Sequence, residues 1–343
     1  MGSSFRLPAE WEPQAAVLLA WPHVDTDWGQ RLLATESSYV ALASAITRFE
    51  PVLICVADAA VRERACELLG AGADLSHVRF VEIPYDDTWL RDSGPIALHR
   101  GNEYTLADFR FTGWGGKFEA SRDDALIKGL IERDVFKPSV GHARIDWALE
   151  GGAIESDGAG TLLTTWRCLH QRHPDQSRSQ IESLLRESLG AQRVLWLEHG
   201  YLQGDDTDAH IDTLARFAPD NAIVYQACDD TSDSHFDELA AMREELVALR
   251  TLDGKPYTLH ALPWPKPIVD GGRRLAASYA NYLIVNGAVL VPTYDDPADA
   301  EAARVIANAH PGHQMVQVPC RPLIWQNGSL HCVTMQLPEG LVQ

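Results

Sequence analysis

The sequence has no apolar run long enough to cross a bilayer. Its longest apolar stretches, 16–21 and 282–292, fall well short of the roughly 20 residues of a membrane helix, and Asn286-Gly287 interrupts the second. Near the N-terminus no basic segment precedes an apolar one, as it would in a secretory signal. We therefore expect a soluble, cytoplasmic protein with no membrane partner.

Positive charge is also scarce. The 343 residues include 29 Lys and Arg against 48 Asp and Glu, a formal net charge of −19. Such a chain repels phosphate backbones, because nucleic-acid binding depends on cationic side chains that release counterions. We expect no nucleic-acid partner, whereas a small cationic ligand is compatible with this charge.

The six cysteines contain no Cys-x-x-Cys pair, which argues against a zinc ribbon and a small disulfide framework. They are Cys55, Cys66, Cys168, Cys228, Cys320 and Cys332. The pairs His210-x-Asp212, His170-x-x-His173 and His331-Cys332 match no recognised ligand spacing. No metal site is predicted.

Helical and strand-like patterns alternate along the chain in a repeating order. Helices are predicted at 31–49, 61–69, 121–133, 177–189, 234–249 and 296–309, strands at 16–21, 51–56, 78–83, 143–147, 193–197, 257–262 and 314–318, and hairpins at 154–163, 215–225 and 283–290. Polar segments recur near Asp92, Glu150, His210, Tyr279 and Cys332, at gaps of 58, 60, 69 and 53 residues.

This period predicts one α/β domain of five units over residues 1–343. If the units are arranged radially, their polar segments meet in one axial pocket, and the strand 16–21 closes the ring beside the last unit. The alternative is an ordinary α/β domain in which the period reflects mean element lengths.

Cys332 and His210 are candidates for nucleophilic and proton-transfer chemistry. Cys332 lies in a strand-like run in which His331 would point to the opposite face, so another base is needed. In an extended segment His210 and Asp212 share a face, and the carboxylate would favour the protonated ring. A lone cysteine is more often a core residue, and an Asp-rich segment is more often a surface turn.

Further carboxylates lie in Glu150-Gly-Gly and in the segment 86–95, which combines three acids with Trp89. Each segment alone is more typical of a solvated loop. Together with His210 and Cys332, they indicate a site for a planar cation such as guanidinium, which takes paired, charge-assisted hydrogen bonds from carboxylates.

Six segments in order resemble the agmatine deiminase and Porphyromonas-type peptidylarginine deiminase family of guanidine-modifying enzymes, from about 21 to 338. The segments are Asp87-Thr-Trp-Leu-Arg-Asp-Ser-Gly-Pro95, Phe109-Arg-Phe-Thr-Gly-Trp-Gly-Gly-Lys117, Glu150-Gly-Gly-Ala-Ile-Glu-Ser-Asp-Gly-Ala-Gly-Thr161, His210-Ile-Asp212 with Arg216-Phe217, Ser278-Tyr-Ala-Asn-Tyr282, and Leu330-His-Cys-Val-Thr334. The resemblance implies a five-bladed α/β propeller.

The resemblance also implies roles for particular residues. Cys332 is the nucleophile, His210 the proton shuttle, and the carboxylates that hold the guanidinium are Asp92, Glu150 and Asp212. Further substrate contacts are expected at Trp89, Asp87 and Trp114. The implied chemistry passes through a covalent amidino-thioether and needs neither a metal nor an organic cofactor.

The leading functional hypothesis is hydrolysis of agmatine to N-carbamoylputrescine and ammonia by a homodimer or larger homo-oligomer. Free, peptidyl or methylated arginine are alternative substrates, since Arg91, Arg110, Lys117 and Arg167 are candidates for an α-carboxylate partner. An amidinotransferase would use the same nucleophile. A non-catalytic guanidine or polyamine-binding protein would need the acids but not the thiol.

Overall fold

A computed structural model describes residues 5–343 of the chain, in which short strands alternate with helices. The strands are β1 Gln14–Ala20, β2 Val52–Val56, β3 Val78–Glu82, β4 Ile96–Arg100, β5 Glu103–Arg110, β6 Gly141–Ala148, β7 Ile154–Ser156, β8 Thr161–Thr165, β9 Arg193–Leu197, β10 Ala215–Ala218, β11 Ala222–Gln226, β12 Thr258–Leu262, β13 Val269–Asp270, β14 Arg273–Arg274, β15 Leu283–Val285, β16 Ala288–Thr293, β17 Gln314–Pro319 and β18 Thr334–Pro338. The helices are α1 Leu32–Ile46, α2 Ala59–Leu69, α3 Leu90–Ser93, α4 Gly113–Gly116, α5 Ser121–Asp124, α6 Leu126–Ile131, α7 Trp166–Arg172, α8 Arg178–Leu189, α9 Phe236–Ala248 and α10 Asp299–Ala309.

Five small mixed sheets repeat one strand order. In four of them, an antiparallel hairpin is followed by one or more helices and then by a strand that pairs in parallel with the second hairpin strand. In the fifth, β18 and β1 form the antiparallel pair without a connecting turn, and β2 and β3 follow in parallel. The sheets are β4-β5-β6, β7-β8-β9, β10-β11-β12, β15-β16-β17 and β18-β1-β2-β3. The fold is therefore mixed α/β and repetitive, as the sequence period predicts.

The two ends of the chain share the last of these sheets. β1 pairs antiparallel with β18 and parallel with β2, so Leu19 lies opposite both Thr334 and Ile54. The prediction that the early strand lies beside the last unit is confirmed.

The helices cover the sheets with one apolar face each. α8 begins with a capping box between Ser177 and Gln180 and ends at Gly190, whose φ of 69° suits glycine. Its buried residues, Ile181, Leu185 and Leu189, recur every four positions along one face. No helix among residues 5–343 is both long and apolar enough to cross a membrane.

A polar turn precedes the first strand of each hairpin. The turns are α3 before β4, Gly151–Ala153 before β7, Ile211–Thr213 before β10, the segment 278–282 before β15, and the segment 330–333 before β18. The centres predicted from the sequence fall in or next to these turns. The recurring turn is thus the part of each unit that carries the chemically useful side chains.

Three local predictions are wrong. The residues His331 to Val333 form turns, and the strand begins only at Thr334. His210 precedes a 3-10 turn that contains Asp212, so the pair is not in an extended segment. The predicted helix 121–133 is two short helices, α5 and α6, and α7 was not predicted. The single domain over 1–343 stays a prediction.

Candidate active site

Cys332 lies on the turn before β18 with only 5% of its surface exposed. Its Sγ is 3.1 Å from Asn281 Nδ2, which donates to it, and 3.6 Å from Asp212 Oδ2. Burial raises the pKa of the thiol well above its usual value, and the charges of Asp212 and Asp92 raise it further. The resting group is therefore a neutral thiol.

His210 is buried between two carboxylates. Its Nδ1 lies 3.5 Å from Asp92 Oδ1, and its Nε2 lies 3.6 Å from Glu150 Oε2. Within the described chain neither ring nitrogen has a hydrogen-bond partner of good geometry. Burial lowers the pKa of His210, but the charge of Asp92 and contacts with Cys168 and Glu150 hold it well above its usual value. His210 therefore rests as an imidazolium between Asp92 and Glu150.

Glu150 follows β6, directly before the turn Gly151–Ala153, and accepts a hydrogen bond from the Arg172 guanidinium. Its Oε1 accepts from Arg172 Nε at 2.7 Å, whereas Oε2 has no hydrogen-bond partner in residues 5–343. Burial raises the pKa of Glu150, but His210 and Arg172 outweigh burial and keep it below its ordinary value. Glu150 is thus an ionised carboxylate with one oxygen left over.

Asp92, within the α3 turn, accepts from Trp114 Nε1 at 2.8 Å and from the Gly152 amide at 3.0 Å. Burial raises its pKa to about 6, and Asp212 and Glu150 act in the same direction against His210. Trp114 itself has a φ of 56°, which few residues other than glycine adopt, in a turn between Gly113 and Gly115. This strained turn aims the indole N–H at Asp92.

Asp212 is fully buried and divides its two oxygens between different surroundings. Oδ2 accepts from His331 at 2.8 Å and from Asn281 Nδ2 at 3.2 Å, while Oδ1 has no hydrogen-bond partner among the residues described. Burial raises the pKa of Asp212, but the His331 hydrogen bond and the charges of His331 and His210 bring it below its ordinary value. Like Glu150, it offers one free charged oxygen.

Gly152 allows these groups to meet. A Cβ at this position would lie 2.7 Å from both Asp92 Oδ1 and His210 Nδ1, and 3.3 Å from the Asp212 carboxyl carbon. Such distances are too short for any side chain, so the close approach requires glycine here.

A cavity of about 400 Å³ leads to the thiol. Its lining includes Cys332 and all four of the predicted residues Asp87, Trp89, Asp92 and Trp114. Glu150, His210 and Asp212 are buried at its inner end rather than in the lining. The remaining lining residues are Asp27, Phe118, Asp206, Thr207, Gln326, Asn327 and Gly328.

The outer part of this cavity is acidic. Burial raises the pKa of Asp87 to about 8, with Asp27 and Asp123 adding to it, and burial also raises the pKa of Asp206. Asp206 Oδ2 accepts from Asn327 Nδ2 at 2.6 Å. Burial thus disfavours the ionised forms of both acids, and a cation bound beside them would stabilise those forms.

A second cavity of about 640 Å³ is larger, and its lining includes Glu10, Arg91 and Glu155. Neither Cys332 nor His210 lines it, so we place the active site in the smaller cavity.

Glu150, Cys168 and His210 offer ligand atoms within 4.8 Å of one another. However, Arg172 already holds Glu150, and its positive charge disfavours a metal cation at that carboxylate.

Several residues of the site were missed from the sequence. Asn281 contacts both the thiol and Asp212, and Arg172 pairs with Glu150. Asn281 could have been found, because the fourth polar segment was recognised without assigning it a functional residue. His331 was considered only as a base and rejected, and Glu10 carried no signal in the sequence.

Comparison with known proteins gives full-length matches. Residues 6–338 match the model of a family described as Porphyromonas-type peptidyl-arginine deiminase. The agmatine deiminase of Pseudomonas aeruginosa (strain LESB58) is 35% identical, over 97% of this chain and 95% of its own.

Two solved structures superpose over nearly the whole chain. A cysteine-to-serine variant of the agmatine deiminase of C. jejuni with bound substrate is 34% identical, covers 98% of this chain and 97% of its own, and has a TM-score of 0.91. A Porphyromonas gingivalis structure is described provisionally as an arginine deiminase. It is 46% identical, covers 99% of this chain and 100% of its own, and has a TM-score of 0.93.

Proposed function

Because this chain belongs to the Porphyromonas-type peptidyl-arginine deiminase family, we propose that it hydrolyses agmatine to N-carbamoylputrescine and ammonia. The observation that carries the proposal is the set of free, buried acceptor atoms beside a thiol. Glu150 Oε2 and Asp212 Oδ1 have no partner in residues 5–343, and both belong to ionised carboxylates next to Cys332 and His210. A planar guanidinium supplies the N–H groups and the charge that these oxygens need.

The proposed reaction begins when the guanidinium binds between Asp92, Glu150 and Asp212. Its positive charge beside the thiol lowers the pKa of Cys332, whose proton passes to solvent. The thiolate attacks the central guanidinium carbon and forms the C–S bond. The carboxylates keep the substrate protonated, so that this carbon remains electrophilic.

His210 then completes two proton transfers. The imidazolium gives its proton to the departing nitrogen, the C–N bond breaks and ammonia leaves. The neutral ring next takes a proton from water, which attacks the amidino-thioether carbon. The C–S bond breaks, the proton of the new hydroxyl passes to the thiolate, and the ureido product leaves with the thiol and the imidazolium restored.

The outer cavity supports agmatine over arginine. Asp27, Asp87 and Asp206 line the same cavity as Cys332, and we place the distal amine of agmatine beside them. The cationic residues considered for an arginine carboxylate are engaged elsewhere: Arg91 pairs with Glu10, Arg110 with Asp146 and Lys117 with Asp208, and Arg167 lies over the Tyr201 ring. None of these four is in the lining of the cavity within the described chain.

Arginine is the second candidate substrate, favoured by the provisional description of the Porphyromonas gingivalis structure. To test both, agmatine, arginine, a blocked arginine peptide and dimethylarginine are each incubated with the protein, and ammonia and ureido product are measured. We expect kcat/KM to be highest for agmatine. Turnover of arginine alone would transfer the proposal to arginine, and no turnover of any of the four would contradict it.

The same assay separates two other functions. Added glycine or ornithine would divert the amidino group in an amidinotransferase, whereas we expect ammonia release to be unaffected. Stoichiometric agmatine binding without ammonia release would instead indicate a binding protein.

For the fold, we propose that the five mixed sheets are the blades of an α/β propeller. The repeated strand order, the shared sheet of the two chain ends and the convergence of the five polar turns support this arrangement. A homodimer and a cytoplasmic location stay predictions. Sedimentation velocity tests the first and cell fractionation the second.

A further inference from the structure

A buried chain of contacts runs from the N-terminal segment to the thiol. Glu10 Oε1 lies 2.8 Å from His331 Nε2, and His331 Nδ1 lies 2.8 Å from Asp212 Oδ2. Asp212 Oδ2 in turn lies 3.6 Å from Cys332 Sγ. These contacts therefore connect Glu10 to Cys332 through His331 and Asp212.

His331 is the main support of Asp212. The other donor to Asp212 Oδ2, Asn281 Nδ2, also donates to Cys332 and is therefore shared with the thiol. With Oδ2 held by His331, Oδ1 is left free on the side where we place the guanidinium. Rotation of the His331 ring would release the carboxylate from this orientation.

Glu10 is in turn the group that holds the His331 ring. It is itself fixed by Arg91 at 3.0 Å, by Gln336 at 2.9 Å and by Arg216. The charged and titratable groups around the His331 ring are therefore Glu10, Asp212, Arg91 and Arg216, and Glu155 lies beyond on the far side of Arg216.

We propose that Glu10 is a positioning residue for the deiminase reaction, acting through His331 to orient Asp212 toward the substrate. This inference deepens the proposed function and rests on it. It makes the N-terminal segment a working part of the site, although Glu10 lies on a different cavity from Cys332.

The first test is a double-mutant cycle on kcat/KM for agmatine, with the variants Glu10→Ala, His331→Ala and the pair together. Misplacing a reacting group by about 1 Å can cost about 100-fold, so we expect each single variant to lose about 10- to 100-fold. If Glu10 acts through His331, the double variant loses no more than His331→Ala, within about twofold. Losses that multiply would overturn the proposal.

Glu10→Gln separates positioning from charge pairing. The imidazole nitrogen can donate to the amide oxygen or accept from the amide NH₂, so the contact with His331 survives in either orientation. The amide cannot neutralise Arg216. We expect Glu10→Gln to have a lower free energy of unfolding than the unmodified protein, because the charge pair with Arg216 is lost. Its kcat/KM should stay within about fivefold of the unmodified protein, because the contact that positions His331 is kept. A loss as large as that of Glu10→Ala would count against the proposal.

The matched control is Glu12→Ala on the same segment, where Glu12 pairs with Arg6. We expect its kcat/KM to be unchanged, and a loss equal to that of Glu10→Ala would show that any change in this segment impairs the site.

A third measurement does not depend on turnover. Iodoacetamide alkylation of Cys332 is followed by peptide mass, with the exposed Cys66 as an internal reference. Asp212 raises the thiol pKa, so releasing this carboxylate in Glu10→Ala should speed Cys332 alkylation relative to Cys66 by at least about threefold. An unchanged ratio of the two alkylation rates would contradict the proposal even if no guanidine were hydrolysed. A changed ratio without any turnover would support the action of Glu10 through His331 on Asp212, and would reject the deiminase function.

Discussion

Two clusters of buried carboxylates in this protein differ in charge balance. We call the first the substrate cluster, formed by Asp92, Glu150, Asp212, His210 and Arg172. The second, the anchor cluster, is formed by Glu10 and Glu155 with Arg91 and Arg216. With every carboxylate counted as ionised, two carboxylates face two guanidinium groups in the anchor cluster, whereas three share one guanidinium and one imidazolium in the substrate cluster. In the anchor cluster Arg216 opposes the burial that raises the pKa of Glu155 to about 8.

The difference shows what each cluster needs. Buried charges must be paired, because leaving an ion without a partner in a low dielectric is costly. The anchor cluster supplies its own partners and can hold the fold. The substrate cluster lacks one positive charge, which the guanidinium of agmatine would supply in the proposed reaction.

The largest expected effect tests the chemistry beside the substrate cluster. Replacing Cys332 with alanine should lower kcat for agmatine by at least about 10³-fold, because no other group supplies the nucleophile. Ammonia release under saturating agmatine measures this loss. Cys66→Ala is the control, since that thiol is exposed, and its rate should match the unmodified protein. An unchanged rate in Cys332→Ala would refute the mechanism.

Glu150→Gln should lower kcat/KM by about 100-fold or more, because the free oxygen loses the charge that pairs with the guanidinium. The matched change in the anchor cluster is Glu155→Gln, for which we expect kcat/KM within about threefold. Steady-state assays of both variants compare the clusters directly. Equal losses would remove the functional distinction between them.

Arg216→Met should act mainly on stability. Breaking a buried ion pair on one side costs about 3–5 kcal/mol, since Glu10 would lose the partner that compensates its charge. Urea unfolding at constant pH measures the free energy of unfolding. Exposed Arg100→Met is the control, with an expected change below about 1 kcal/mol for its surface pair with Glu103. A full-stability Arg216→Met protein would show that the anchor cluster does not hold the fold.

The pH dependence of kcat/KM should reflect the raised pKa of Asp92 in the substrate cluster. Burial raises the pKa of Asp92 to about 6, so below this pH Asp92 becomes neutral and its pull on the cation is lost. We expect kcat/KM for agmatine to fall about tenfold per pH unit below about pH 6, since kcat/KM reports the free enzyme. Rates at low agmatine between about pH 4.5 and 8 measure this limb. A midpoint near the usual aspartate pKa would mean that burial and the neighbouring carboxylates do not raise the pKa of Asp92.

The smallest effect is expected at the outer cavity. Asp206→Asn should raise KM for agmatine about three- to tenfold and leave kcat unchanged, because it removes one charge that would pair with the distal amine in the outer part of the cavity. The exposed Asp229→Asn is the control. An unchanged KM would place the distal amine elsewhere, with Asp27 and Asp87 as the next candidates.

The parts of the fold that the sequence predicts well are those that depend on local pattern. Strand and helix periodicity predicted most elements, and five recurring polar segments predicted all five turns. Prediction failed where a residue's role depends on tertiary contacts. Cys332 was assigned to a strand although the strand begins two residues later, because apolar β-branched neighbours do not distinguish a buried turn from a strand.

The site was predictable to the same extent. Cys332, His210, Asp92, Glu150 and Asp212 do lie together, although their roles stay proposals. Glu10 was not predictable, since a glutamate in 5–13 resembles any surface acid until Arg91, Arg216 and His331 surround it. Asn281 has no charge, so only its contacts reveal it.

The pairing of β1 with β18 also fixes the nucleophile through a contact that is distant in sequence. Leu19 lies opposite Thr334, two residues from the thiol, so a strand from the other end of the described chain holds the turn that carries Cys332. Such a long-range contact costs loop-closure entropy before it stabilises the fold. The position of the thiol therefore depends on the closure of this sheet, and not only on the local sequence around Cys332.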